Sequence, residues 1–362
     1  MADKEYSDGK LPHGGDWASY KEEYGRLPLD FSASISPLGL PEGVQRAAVR
    51  ALAEADRYPD PLCRSLRQKL SAFHGVEPGR IVCGNGAADL ITRIAWALRP
   101  RRALIAVPGF SEYRRSLDAV LCRTERFVLR EEDGFALGEE IAARITPEID
   151  LLFLANPMNP SGKRIPDDLL MRILDACDRT GTVFVLDECF LPMTPGGEAH
   201  TLIGEPLKRQ GLIILRAFTK TYAMAGLRLG YALCADDEMA GRLSFCGQPW
   251  SVSAVSQAAG EAALLEKDYK ERLMRLLAAE RPRLAGELEN LGFTVIPGEA
   301  PYILFKSPVK HLDEKLRDEG ILIRSCENFE GLCEGWYRTA VRTREDNDRL
   351  LEAMRAVRDG GM

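Results

Sequence analysis

The sequence predicts an α/β protein: a parallel or mixed sheet covered on both faces by helices, followed by a smaller α+β domain. Three observations carry that expectation. Apolar residues recur at helical spacing in Val44, Ala47, Ala48, Ala51 and Leu52, and again in Leu90, Ile91, Ile94, Ala95 and Leu98. Between the helical stretches lie short unbroken apolar runs: Ile81–Cys83, Ala103–Val107, Leu151–Leu154, Val183–Leu186, Leu212–Leu215 and Leu229–Cys234. Unbroken rather than alternating runs belong to strands buried on both faces. After Pro249 the character changes. Residues 254–290 read as a long, charge-rich helix interrupted at Pro282, and short strands follow near Phe293–Ile296, Tyr302–Phe305, Ile321–Arg324 and Trp336–Val341. The expected division is an N-terminal arm over 1–35, a large domain over 36–250 and a small domain over 251–362.

Composition narrows the function. The chain has 362 residues, 45% hydrophobic and 28% charged, as ordinary globular proteins have. A dispersed net charge of −6 argues against a general nucleic-acid binder. No apolar run approaches the roughly 20 residues that span a bilayer. The opening MADKEYSDGKLPHGGD lacks the apolar segment of a secretory signal, so a cytoplasmic protein is expected. Nine cysteines without a CxxC pair suggest reduced thiols rather than a disulfide framework. Cys83, Cys177, Cys189 and Cys234 lie in apolar stretches and read as small buried hydrophobes. His13, His74, His200 and His311 are far apart, and no metal site is expected.

The residues after each apolar run carry the chemistry. Ile81–Cys83 leads into Gly84-Asn85-Gly86-Ala87-Ala88-Asp89 and a helix. Glycines there let backbone N–H groups approach an anion, which the helix dipole also favours; a plain tight turn is the alternative. As a dinucleotide fingerprint it is weak, because Asp89 replaces the third glycine and the next strand runs into Pro108-Gly109 without an acid at its end. Val183–Leu186 runs into Asp187 and Glu188, acids that need a metal, a cationic ligand or exposure to water. Leu151–Leu154 ends in Asn156-Pro157-Met158-Asn159-Pro160-Ser161-Gly162. Its prolines either hold the Asn159 amide in one orientation or merely punctuate a loop. Leu212–Leu215 is followed by Thr219-Lys220 and, further on, Arg228. A lysine at a strand end is ordinarily a surface lysine. Partly desolvated and near other cations, it has a lowered pKa and can form a Schiff base. A phosphate turn, a fixed amide, an acid for a pyridinium nitrogen and an amine nucleophile together are what pyridoxal phosphate needs.

The segments GNGAAD at Gly84–Asp89, NPMNPSG at Asn156–Gly162, DE at Asp187–Glu188 and TKTYAMAGLRLGY at Thr219–Tyr231 resemble those of the class I/II aminotransferase family of fold-type I. Within it the chain is similar to the branch that holds histidinol-phosphate aminotransferase and the threonine-phosphate decarboxylase of cobalamin synthesis. The resemblance covers nearly the whole chain. It implies a mostly parallel seven-stranded sheet in a three-layer large domain, pyridoxal 5′-phosphate as cofactor, and a homodimer with shared active sites. By the same resemblance Lys220 holds the cofactor covalently and moves protons, Asp187 pairs with the pyridine nitrogen, and Asn159 donates to ring oxygen O3′. The backbone of Gly86, Ala87 and Ala88, with Thr219 and Arg228, would hold the phosphate. Phe110 would stack on the ring, and Tyr58 would reach the phosphate from a neighbouring subunit. Arg338 matches the arginine that grips a substrate carboxylate or phosphate as a fork. Phe190 stands where many relatives have tyrosine, and Ala217 where serine or threonine is frequent. Each loss removes one neutral hydrogen bond, about 0.5–1.5 kcal/mol.

Further segments resemble the decarboxylases: His13-Gly14-Gly15-Asp16, Asp30–Gly39, and Arg324–Leu332. Arg342 sits where the aminotransferases typically have glycine. These imply decarboxylation of L-threonine O-3-phosphate to (R)-1-aminopropan-2-yl phosphate. That substrate bears two anionic groups, and Arg324, Arg338, Arg342 and His13 are the cations offered to it. For Arg342 and Arg344, ion pairs with acids such as Glu345 and Asp346 are the alternative. Ser34, Ser36 and Pro301 replace asparagines frequent in both groups, at positions where substrate would be read. Transamination of histidinol phosphate or a related amino acid, with glutamate and 2-oxoglutarate, is the competing reaction.

Overall fold

In the structure, a computed structural model, residues 13–205 and 209–360 are described. The first twelve residues of the expected arm lie outside them. The chain enters through helix Trp17–Tyr24 and a two-residue strand, β1 (Leu29–Asp30). The central sheet follows: β2 (Ile81–Gly84), β3 (Arg102–Val107), β4 (Arg123–Val128), β5 (Leu151–Ala155), β6 (Val183–Asp187), β7 (Leu212–Ala217) and β8 (Gly230–Cys234). Its order is β2-β8-β7-β6-β5-β3-β4, and only β8 runs antiparallel to its neighbours.

Both faces of the sheet are covered, as the unbroken apolar runs require. Leu104, Leu152, Leu154, Phe184, Leu186, Leu212 and Ile214 face one apolar layer with Leu170 and Ile173 of helix Asp167–Thr180. Ala103, Ile105, Leu151, Phe153, Val185, Ile213 and Leu215 face the other, against Leu90, Ile91 and Ile94 of helix Ala87–Leu98. The sequence pattern missed β4. It pairs only with β3 at the sheet edge, so it carries Arg123, Glu125 and Arg126 rather than a buried apolar run.

Beyond residue 250 the helices differ from expectation. Ala254–Ala263 and Lys267–Asn290 are separate, and the break lies around Leu264–Glu266, not at Pro282, which sits inside the second helix. A proline there costs about 3 kcal/mol. Burial of Leu273, Leu277, Leu284 and Leu288 along one face offsets it. The C-terminal sheet is β9 (Thr294–Val295), β10 (Tyr302–Lys306), β12 (Arg324–Ser325) and β13 (Trp336–Ala340), in the order β12-β13-β10-β9. The stretch expected as one strand at Ile321–Arg324 divides between two partners. β11 (Ile321–Leu322) pairs with β1, whereas Arg324 pairs with Arg338 in β13. Leu29 N donates to Gly320 O at 2.8 Å, Phe31 N to Leu322 O at 2.7 Å, and Ala340 N to Phe31 O at 2.9 Å. The segment after the first helix is thereby stitched to the C-terminal sheet.

Candidate active site

The predicted residues converge where the central strands end. Asp187 is the last residue of β6, registered between Ala155 and Leu215. Its carboxylate accepts from Tyr113 Oη at 2.8 Å and from the Cys189 backbone N–H at 2.9 Å. Both bonds fix it in direction. Burial, and then the charge of Asp187, push the Tyr113 phenol well above its ordinary range, so it stays a donor. Its ring stacks on Phe153 at 5.0 Å.

Asn159 lies in a pinned loop. Asn156 N donates to Asp187 O at 2.8 Å, Gly162 N to Met158 O at 2.7 Å, and Tyr302 Oη to Met158 O at 3.0 Å. Buried Arg338, in the middle of β13, donates from Nη1 to Asn159 Oδ1 at 2.6 Å. That orients the amide so that its N–H₂ faces away from the arginine. Arg338 also stands 4.8 Å over the Tyr302 ring, and its Nε is buried without a partner.

Lys220 belongs to the single turn Phe218–Thr221 directly after β7. Burial, then the cations Arg338 and Arg228, lower its amine to about 8 against the opposing effect of Asp187. The amine sits 5.4 Å from the Phe190 ring. The phosphate turn is equally defined. Gly86 has φ +83° and precedes helix Ala87–Leu98, whose first N–H groups are free of the helix's own bonds. A Cβ on Gly86 would come within 2.5 Å of Arg228 Nη2, so the guanidinium lies over the glycine. A Cβ on Gly230 of β8 would meet Ala87 N at 2.8 Å. Asp89 braces the loop: it accepts from Asn85 N at 2.7 Å and is clamped by Arg93 at 2.9 and 2.6 Å.

Beneath the lysine turn lies a buried charge network. Glu188, fully buried, accepts from Arg216 at 2.8 Å, from Thr201 Oγ1 at 2.5 Å and from Leu202 N at 3.0 Å. Arg216 reaches on to Glu198 at 3.2 Å, and Glu198 to Lys270 at 2.6 Å. Burial raises the Glu188 carboxyl, with Arg216 pulling the other way.

The remaining candidates distribute unevenly. Phe110 precedes helix Ser111–Asp118, and His13 lies 5.7 Å from its ring while bonding Glu112 at 2.7 Å. Thr219 is buried in the lysine turn. Arg324 stands 5.3 Å over the Phe329 ring and donates to Asn328 at 2.7 Å. Arg342, one of the cations the resemblance offers to substrate, is engaged as the ion-pair alternative had it. It pairs with Asp346 at 3.0 Å and donates to Asp30 O at 3.3 Å, because both acceptors lie within reach of the end of β13. Arg344 is also engaged, with Glu280 and Asp348. Tyr58 is 80% exposed, stacked on Trp250 at 4.6 Å. Tyr113, Tyr302, Phe190, Asp89 with Arg93, and Arg216 were not picked out as supports. Phe190 and Asp89 were visible only as departures from familiar patterns, and Arg216 as a cation in an otherwise apolar strand.

Residues 28–354 match the family described as aminotransferase class I and II. The chain belongs to that family. Among class I and II aminotransferases it is 39% identical over 356 residues to threonine-phosphate decarboxylase of Salmonella typhimurium, covering 96% of this chain and 97% of the relative. It is 34% identical over 303 residues to histidinol-phosphate aminotransferase 1 of Carboxydothermus hydrogenoformans, covering 82% and 83%. Its fold matches that of histidinol-phosphate aminotransferase from Sinorhizobium meliloti in complex with pyridoxal-5′-phosphate, with a TM-score of 0.87, 22% identity, and 100% and 99% coverage. The seven-stranded sheet is thus that of the fold-type I aminotransferases.

Proposed function

We propose that this chain is a pyridoxal 5′-phosphate-dependent carboxy-lyase that decarboxylates L-threonine O-3-phosphate to (R)-1-aminopropan-2-yl phosphate for cobalamin synthesis. The observation that carries the substrate is the 39% identity with a threonine-phosphate decarboxylase along nearly all of both chains. The residues present fit the cofactor. An anion cradle under Arg228, a carboxylate held by two donors, an oriented amide and a desolvated amine of pKa about 8 are the donors and acceptors it requires.

In this reading the Gly86–Ala88 backbone, Thr219 and Arg228 hold the phosphate, and Phe110 covers the ring. Asp187 would hold the pyridine nitrogen protonated, and the Asn159 amide would donate to O3′. When bound, pyridoxal phosphate supplies an electron sink for the pair left when a Cα bond breaks. Arg338 would grip the substrate carboxylate through its unpartnered Nε edge. Arg324 supplies charge, and His13 a ring nitrogen for hydrogen bonding, to the substrate phosphate. Lys220 Nζ returns a proton to Cα, a task suited to an amine near neutrality. Arg342 ties β13 to the arm and acts on substrate only through that tie.

We further assign Tyr58 to the active site of a second subunit in a homodimer: it is exposed, its ring is held against Trp250, and it matches the tyrosine that relatives extend to a neighbouring subunit. We keep the division into arm, large and small domain at about 35 and 250, and a cytoplasmic location.

Supplying the cofactor-loaded protein with L-threonine O-3-phosphate alone and measuring CO2 over many turnovers tests the reading. Continuous release supports it. Transfer of the amino group from histidinol phosphate to 2-oxoglutarate, without CO2, establishes the aminotransferase reading that the Carboxydothermus relative favours.

A further inference from the structure

The loop between β12 and β13 of the C-terminal sheet, residues 326–335, meets the central-sheet side of the molecule through one carboxylate. Glu330 presents an oxygen to each of two arginines. Oε2 accepts from Arg114 Nη1 at 2.8 Å, and Oε1 pairs with Arg126 Nε. Arg114 belongs to helix Ser111–Asp118, which starts directly after Phe110, and Arg126 belongs to β4. Arg126 is one of the charges that kept β4 from reading as a buried strand.

The next residue touches the turn that leads to Phe110. Gly331 has φ +92°, and a Cβ there would stand 3.5 Å from Cδ of Pro108. Backbone bonds set the loop's own shape: Cys326 N donates to Trp336 O at 2.8 Å, and Phe329 N to Cys326 O and Leu332 N to Phe329 O at 3.0 Å each. Arg324, just before the loop, lies 5.3 Å over the Phe329 ring and donates to Asn328 at 2.7 Å. Phe329 precedes Glu330 in the chain, so what seats Glu330 also seats the ring on which the Arg324 guanidinium rests. Two cations that claim both oxygens of one carboxylate give the loop a defined seat, where a single exposed pair would hold it loosely. All three side chains are partly exposed, so the seat is open to solvent rather than locked in the core.

We propose that Glu330 is a positioning residue for Arg324, and through it for recognition of the substrate phosphate. By anchoring the loop to Arg114 and Arg126 it keeps Phe329, and the guanidinium above it, beside the Pro108–Phe110 turn. The part of Arg324 in phosphate binding rests on the function proposed above; the anchoring of the loop does not.

Amide hydrogen exchange of the cofactor-loaded protein and steady-state kinetics test this together. Glu330→Gln keeps the side chain's shape and removes its charge. In it, amides of residues 326–333 should exchange about threefold faster or more, while those of β5 and β6 keep the parent rate. KM for L-threonine O-3-phosphate should rise about three- to tenfold, with kcat within about twofold. The double variant Arg114→Gln, Arg126→Gln should reproduce both effects, and adding Glu330→Gln to it should change neither. A loop residue that acted apart from these arginines would add its own cost. Unchanged exchange in Glu330→Gln overturns the anchoring, additive effects overturn the assigned partners, and faster exchange with an unchanged KM overturns the link to Arg324. If the parent releases no CO2, the reaction proposed above fails by itself. KM is then read with histidinol phosphate and 2-oxoglutarate, since that amine also carries a phosphate.

Discussion

The two sides of the site are built on different terms. On the central sheet the chemistry sits at strand ends: Asp187 closes β6, Lys220 lies in the turn after β7, and the Asn159 loop hangs from β5 by backbone bonds. On the C-terminal sheet it sits in arginines whose neighbours decide their availability. Arg338 is buried, keeps a free Nε and orients Asn159; Arg342 is taken by Asp346. A strand end fixes a residue's position through the backbone. A cation's use is fixed by which acceptors have already claimed it.

The sharpest way to break that contrast is on the sheet side. Lys220→Ala should lower CO2 release from L-threonine O-3-phosphate by more than about 10³-fold; a rate within tenfold of the parent removes the lysine from the chemistry. Glu188→Gln leaves buried Arg216 without its full counter-charge, and urea unfolding should report a loss of about 3–5 kcal/mol. An unchanged midpoint would show that Glu198 alone compensates Arg216.

Across the site, Arg338→Lys keeps the charge but loses the planar fork. Steady-state kinetics should show kcat/KM lower by roughly 10²-fold, mostly in KM. A pH series joins the two sides. Lys220 is lowered from 10.5 to about 8 by burial first and then by Arg338. Only the neutral amine captures an aldehyde, so loading of cofactor-free protein with pyridoxal phosphate should rise with pH and reach half its maximum near 8. In Arg338→Met the lost positive charge should move that midpoint upward. A fixed midpoint would uncouple the arginine from the lysine. The smallest effect belongs to Arg342→Ala, expected to stay within about threefold in kcat/KM because a partly exposed ion pair contributes only about 0–1 kcal/mol. A loss above tenfold would return Arg342 to the substrate.

What the sequence made legible follows the same divide. Strands β2, β3 and β5–β8 were readable because burial on both faces leaves an unbroken apolar run, and the residues after those runs carried the site. β4 was not, because an edge strand carries charge. The break near Leu264–Glu266 was not readable either, since burial of the Leu273–Leu288 face lets the helix pass through Pro282. Tyr113 and Tyr302 escaped because their hydroxyls act on residues distant in sequence, Asp187 and Met158. The engagement of Arg342 was open in advance: Asp346 was a visible candidate, but only the fold decides which arginine it meets.

The stitch between Leu29–Phe31 and Gly320–Leu322, with Ala340 bonded to Phe31, has a mechanical consequence. It makes the segment after the first helix a lever fixed to the C-terminal sheet. Before the first helix, Gly15 N donates to Ser32 Oγ at 2.7 Å, and His13 rests on Glu112 beside Phe110. Arg338 on Asn159 and His13 on Glu112 are two separate contacts that residues joined to this stitch make with the central-sheet side of the site.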